Sequence, residues 1–264
     1  MTTPTITAGV RYLAPRWRDS GTAPEIGDWG SLATNTVRHD VPVANARGTE
    51  YGLDTTGFTL LEHRTEVDFR DESAVLGRYF AELAPLVKEQ SGADEVFVTH
   101  HFVRWGDPED FEAGYAGFLH GDKGLGDPFG YTRSRIEELG IELGSDQDHD
   151  FAWYNTWQPV DREVFQHPLA LMDARTVPRE HIHDYYYTSV GEPHPESSPV
   201  FDEGHRFYYF PRMRTDELLM FKQLDTRPDR APTCLHSAFT DPTAPDDAPL
   251  RRSIEVRWMC AFKR

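Results

Sequence analysis

The chain is poor in cysteine, in positive charge and in long apolar runs. Only Cys234 and Cys260 are present, in different segments, too few for a disulfide framework or a thiolate metal site. A reducing cytoplasm is the expected compartment. Lysine and arginine number 27 against 44 acidic residues, a formal net charge of -17. Such a surface repels nucleic acid and anionic membrane, so neither is expected as a partner. No stretch approaches the roughly 20 apolar residues that cross a bilayer. No charged start followed by an apolar run opens the chain, so a soluble, untargeted protein is expected. Internal repeats and low-complexity linkers are missing too, which makes one domain over residues 1–264 the expectation.

What is present reads as short strands. Residues 1–50, rich in Pro, Gly and Thr, read as an irregular N-terminal arm over the core. SAVLGRYFAELAPLVKE repeats apolar residues at Val75, Leu76, Tyr79, Phe80, Leu83 and Val87 behind an Asp71/Ser73 start signal, which predicts an amphipathic helix with a proline-kinked end. EVFVTHHFVRW from Glu95, FAWYNTWQPV (151–160), HRFYYFP (205–211), LLMFKQLD (218–225) and RRSIEVRWMCAF (251–262) mix β-branched and aromatic residues and predict strands. A mainly β protein follows, an antiparallel sandwich or barrel with helices packed outside.

FLHGDKG (118–124) holds a histidine and a carboxylate two positions apart. Chance alone gives about two His-x-acid matches in a chain with 12 histidines and 44 acidic residues among 264, and two occur, at His120/Asp122 and His194/Glu196. On an extended segment His120 and Asp122 face the same way. A distant third ligand would complete a 2-His-1-carboxylate triad with open positions, a set suited to Fe(II) and O2 chemistry. His236, 114 residues beyond Asp122, is the best candidate because a strand of unusual polarity, RRSIEVR, follows it. Alternation along that strand separates Arg251, Ser253, Glu255 and Arg257 from Arg252, Ile254 and Val256. A guanidinium and a hydroxyl at Arg251 and Ser253 can hold a carboxylate, which suits a dicarboxylate cosubstrate; Arg257 is the alternative anchor.

These segments resemble the CmcJ/AsaB-like hydroxylases and desaturases, Fe(II)/2-oxoglutarate-dependent oxygenases of specialised metabolism. The resemblance is carried by NTWQP (155–159), PLALMDARTV (168–177), HRFYYFPRMRTDELLMFKQLD (205–225) and HSAFTDPTAPDDAPLRRSIEVR (236–257), with His120-Gly121-Asp122 as the upstream element. It implies a double-stranded β-helix, a jelly-roll or cupin-like barrel with flanking helices, its core over residues 95–262. It also implies a metal site at His120, Asp122 and His236, with 2-oxoglutarate near Arg251 and Ser253. The family's valine-aspartate-tyrosine run after the first histidine is replaced here by Gly121, Asp122 and Lys123.

Each assignment has a plainer rival. His120 could be an ordinary loop histidine, and RRSIEVR a sheet edge paired with surface acids. His194 and Glu196, in GEPHPESSP, read as a solvated loop and are set aside as ligands. His181 and His183 read as a surface turn. Asn155 and Trp157 share a strand face, either as core filler or as an amide anchoring cosubstrate beside an indole at the substrate. Tyr208 could extend its hydroxyl into the pocket, and Arg104 could meet an anionic substrate. An aspartate at position 122, where a halogenase of this chemistry has a small residue, favours hydroxylation or desaturation of a small molecule. A non-oxidative divalent-metal hydrolase or isomerase and a metal-free binding module are the alternatives from other classes. A homodimer stays open as the assembly.

Overall fold

The structure, a computed structural model, describes residues 4–106, 115–143 and 148–264. Two five-stranded sheets form the frame. One contains β1 (Thr5–Leu13), β3 (Thr36–Asn45), β10 (Phe207–Tyr209), β7 (Leu169–Met172) and β12 (His236–Ala238), in that order across the sheet. The other runs β4 (Phe58–Glu62), β11 (Glu217–Asp225), β6 (His149–Pro159), β13 (Ser253–Lys263), β5 (Glu95–Arg104). A smaller sheet joins β2 (Glu25–Ile26), β8 (Ile182–Tyr187) and β9 (His194–Pro199). The result is a jelly roll, mainly β with few helices.

Period-2 alternation assigns the faces of the second sheet. Ile254, Val256 and Trp258 of β13 join Ala152 and Tyr154 of β6 in an outer apolar layer, against which a helical segment packs. Met259, Phe151 and Trp153 turn the other way, into the core shared with the first sheet. Ser253, Glu255 and Arg257 lie on that interior face too, so the polar side of β13 points into the barrel.

The helical segment comprises α2 (Glu72–Ala74), a π turn over Val75–Tyr79, and α3 (Phe80–Ser91). Asp71 caps it, accepting from the amides of Ser73 and Ala74. Pro85 sits inside α3 rather than ending it, and the helix stops at Gly92 in the left-handed region, φ 69°. Val75, Tyr79, Leu83 and Val87 are buried, whereas Leu76, expected on the same face, is half-exposed because the wide π turn rotates it outward. Two further helices are α1 (Trp29–Asn35) and α4 (Pro128–Glu138).

The expected irregular arm over residues 1–50 is corrected. β1 and β3 pair antiparallel from Thr5 opposite Ala44 to Leu13 opposite Thr36, and with β4 they carry the barrel sheets well upstream of residue 95. Ala8, Val10 and Tyr12 do alternate inward, but Gly9 in β1 and Asp40 and Pro42 in β3 dilute the strand composition that makes such a pattern readable. The loop expected at GEPHPESSP is corrected as well, since His194–Pro199 is β9 and Glu196 is buried.

Candidate metal centre and its two cavities

Strand pairing brings the three expected ligands together. Residues 118–121 bridge two sheets: His120 exchanges both backbone hydrogen bonds with His236 of β12, at 3.0 and 2.9 Å, and Gly121 exchanges both with Ser197 of β9, at 2.8 and 3.0 Å. Directly opposed residues put their side chains on one face, and the two imidazole centroids lie 4.5 Å apart. Asp122, two residues on, returns to that face with Oδ1 3.5 Å from His120 Nε2. One ligand atom from each of His120, Asp122 and His236 lies within 4.8 Å of the others. Gly121 is required by packing, because a Cβ there would meet Ser197 Oγ at 2.8 Å and Thr233 Oγ1 at 3.0 Å.

Each ligand is oriented from behind. His120 Nδ1 is 2.7 Å from the Phe118 carbonyl and His236 Nδ1 is 3.3 Å from the Cys234 carbonyl. Donation to these carbonyls fixes the tautomers and leaves both Nε2 atoms as acceptors for a metal. Asp122 receives the Asn155 amide on Oδ2 at 2.6 Å and faces the Arg257 guanidinium at 3.2 Å from Oδ1. Its backbone amide donates to Gln223 Oε1 at 2.8 Å. Asn155 and Arg257 are themselves cross-strand partners on β6 and β13, so sheet register supplies both supports.

The charges follow from burial and these contacts. Burial, reinforced by the neighbouring His120, pushes His236 down to about 3, so it is neutral. Burial also acts to lower His120, but the hydrogen bond and charge of Asp122 outweigh it and raise the imidazole above its ordinary range. Burial would raise Asp122; the Arg257 charge and the His120 hydrogen bond hold it well below the usual carboxylate range. Lys123 lies over the rings of Tyr131 and Trp153 at 5.0 and 5.2 Å, and burial pushes it down to about 8.

Two spaces open from this centre. The inner cleft is small and reaches from the triad to Trp157, Arg251 and Glu255. Arg251 is buried there, its guanidinium 4.3 Å from the Tyr115 ring and 5.4 Å from the Trp157 ring. One of its nitrogens donates to the His167 carbonyl at 2.6 Å, while Nε has no partner among the described residues. Burial pushes Arg251 down to about 9. Ser253 Oγ, two residues along at the start of β13, is buried and likewise unpartnered, though Ser253 is not among the residues lining the cleft. A buried cation and hydroxyl left short of acceptors are what an arriving carboxylate would satisfy. The outer cavity, about 410 Å³, shares His120, Asp122, Arg104 and Arg257 with the cleft and is otherwise walled largely by apolar side chains such as Ile26, Leu32 and Phe118.

The residues expected from sequence divide accordingly. Arg251, Arg257, Trp157 and Arg104 join the triad in the inner cleft. Arg257 is committed to Asp122 and to Glu255 at 3.0 Å, which leaves Arg251 as the arginine with spare donors. Asn155, expected on cosubstrate, instead holds the ligand Asp122, because its register opposite Arg257 aims it there. Tyr208 is corrected: Phe207 and Tyr209 of β10 face the main core, so alternation turns Tyr208 onto Tyr51, at 5.1 Å between rings, and it lines neither cavity. Sequence reasoning missed Gln223, Tyr115 and Glu196. For Glu196 the signal was the second His-x-acid match.

The comparisons with known proteins agree with this geometry. A family model described as an oxidoreductase/YMDC permease-like domain matches residues 14–261. The Fe(II)/2-oxoglutarate-dependent dioxygenase nvfI of Aspergillus novofumigatus is 31% identical over 239 residues, 84% of this chain and 83% of that protein. The hydroxylase/desaturase efuI of Hormonema carpetanum is 30% identical over 288 residues, 96% of this chain and 94% of its own length. Among solved structures, a variant of the iron and alpha-ketoglutarate-dependent endoperoxidase NvfI superimposes with a TM-score of 0.84 at 26% identity, covering 100% of this chain and 99% of that one. The chain belongs to the family of Fe(II)/2-oxoglutarate-dependent dioxygenases and hydroxylase/desaturases.

Proposed function

We propose that this protein oxidises a small specialised metabolite at an unactivated C–H bond, by hydroxylation or desaturation, consuming 2-oxoglutarate and O2. The observation that carries this reading is the His120/Asp122/His236 cluster sharing one cleft with the buried Arg251. Fe(II) held by those three side chains would supply the oxidising power for hydrogen abstraction, with the open positions left to cosubstrate and O2.

The chain's own residues supply the rest. Arg251 Nε and Ser253 Oγ take the far carboxylate of 2-oxoglutarate, with the Tyr115 and Trp157 rings fixing the guanidinium. Asn155 and Arg257 keep Asp122 ionised and aimed. The outer cavity accepts the substrate on the shared wall of His120, Asp122 and Arg104, and its apolar side chains exclude water during reaction. Among the described residues no helix is long and apolar enough to cross a membrane, in keeping with a proposed cytoplasmic enzyme whose partner is its small-molecule substrate.

Anaerobic addition of Fe(II) and 2-oxoglutarate tests this. A weak visible charge-transfer band is expected. Stoichiometric metal binding without such a band favours Lewis-acid chemistry instead, and the lack of stoichiometric metal binding favours a simple binding module.

A further inference from the structure

We propose that Glu196 selects the substrate of this site: its carboxylate receives a hydroxyl or protonated amine carried by an otherwise apolar molecule and seats that group beside the metal centre. The inference rests on the oxygenase reading above and names the substrate class for it.

Register places Glu196 there. Gly121 and Ser197 form the antiparallel bridge between the ligand-bearing segment and β9, so continuing one residue sets Glu196 opposite Asp122 on the same face. Both carboxylates line the outer cavity. Like charges on opposed strands destabilise a sheet, so a second buried carboxylate here is costly to the fold.

The nearby charges of Arg257 and Lys123 offset that cost, and Glu196 has two direct contacts among the described residues. Oε2 accepts the hydroxyl of Tyr185, its cross-strand neighbour on β8. Oε1 has His194 Nε2 at 3.5 Å, at the outer limit of a hydrogen bond, and His194 itself is half-exposed at the rim. An ionised carboxylate offers about four acceptor positions, so Oε1 retains capacity toward the cavity.

The surroundings define the ligand. Asp122 belongs to the metal, and the other charged side chains on the wall, Arg104 and Arg257, are cations. Glu196 is therefore the wall's anionic acceptor for a donor group, with the neutral imidazole of His100 also on the wall. Ile26, Leu32, Phe118 and Tyr185 form its apolar surroundings, and Trp29 and Val190, 51% and 54% exposed, stand at the mouth. A carboxylate in a largely apolar wall of this size orients a ring-sized molecule by its donor group.

The test uses four naphthalene probes that differ in one substituent: 2-naphthylmethylammonium, 2-naphthylmethanol, 2-methylnaphthalene and 2-naphthoate. Each is titrated calorimetrically into protein loaded anaerobically with Fe(II) and 2-oxoglutarate. The ammonium and the alcohol should bind about tenfold or more tighter than the hydrocarbon, the scale of one hydrogen bond to a charged group. Glu196→Gln should abolish the ammonium's advantage. Tyr185→Phe, which frees Oε2, should enlarge it. Equal affinities for all four probes, no saturable binding, or an advantage that survives Glu196→Gln overturns the proposal. The charge-transfer band in the same samples reports on the metal centre separately: probe selectivity without a band defeats the oxygenase reading alone, and a band without selectivity defeats the role of Glu196 alone.

Discussion

Arg251→Ala offers the sharpest test of how the cosubstrate is held. The guanidinium is buried, one nitrogen is committed to the His167 carbonyl, and Nε is unpartnered. A carboxylate arriving in the cleft would gain a charge-assisted contact from it. Removing one such contact costs about 1.5 to 3 kcal/mol. At about 1.4 kcal/mol per tenfold, the variant should bind 2-oxoglutarate roughly ten- to a hundredfold more weakly. Iron affinity should change little, because Arg251 makes no contact with the triad's supports, Asn155 and Arg257. Arg252→Ala is the control: its guanidinium lies on the opposite face of the chain and pairs with Asp161 at 3.1 Å near the surface. It should leave cosubstrate affinity unchanged. The assay is titration of 2-oxoglutarate against the anaerobic charge-transfer band, with circular dichroism confirming that each variant is folded. An Arg251→Ala affinity within twofold of the parent refutes the assignment. Weakening in Arg257→Ala alone, with iron still bound, would move the anchor along β13.

His236→Ala should abolish 2-oxoglutarate turnover while leaving the fold intact; turnover at the parent rate would show that the triad is misassigned. Asn155→Ala removes the amide from Asp122 Oδ2 and should weaken Fe(II) about ten- to a hundredfold, read by metal titration, with a smaller effect on 2-oxoglutarate binding to the loaded enzyme. Gly121→Ala should lower stability by about 1 to 3 kcal/mol in chemical denaturation, since its Cβ would press on Ser197 and Thr233; an unchanged midpoint would mean the bridge yields freely. Metal binding should also be pH-linked. His120 is raised above its ordinary range and is protonated below it, while His236, near 3, is already neutral. Fe(II) loading should release more proton at pH 6 than at pH 9, with affinity falling as pH falls. Proton release in a weakly buffered solution measures this, and equal release at both pH values would exclude His120 as the linked group.

The metal ligands were legible because one rule sufficed for two of them. A His-x-Asp spacing on extended chain places both side chains on one face whatever the fold. The third needed the polar strand after it as a pointer, and its position opposite His120 is a fact of pairing that no spacing in the sequence expresses. The polar face of β13 was legible for the same reason as the pair: alternation separated Arg251, Ser253 and Arg257 from Arg252 before any partner strand was known. Glu196 was hidden by composition. GEPHPESSP carries the prolines and serines of a loop, yet Pro195 and Pro199 are accommodated in a six-residue strand. Tyr208 was misread because the parity of a three-residue strand cannot be set without knowing which neighbour faces the core. β1 and β3 were lost to Gly9, Asp40 and Pro42 and to the glycines and prolines around them, although their inward residues alternate cleanly.

Asp122 stands where the inner cleft and the outer cavity meet, and this gives the site its division of labour. Toward the cleft, the chain just before β13 presents Arg251, the proposed anchor for a dicarboxylate. Toward the cavity, β9 presents Glu196 among apolar side chains. The ligand itself is gripped from behind by Asn155 and Arg257, which face each other across β6 and β13. On the proposed assignments, cosubstrate, metal and substrate functions sit at separate places in the chain. A substitution at 251, 155 or 196 should accordingly move a different measurable quantity: 2-oxoglutarate affinity, iron affinity or probe selectivity. Arg257 is the exception, because it touches Asp122 and lines both spaces. Its replacement leaves the buried carboxylate without its nearest cation, so losses in all three quantities should appear together.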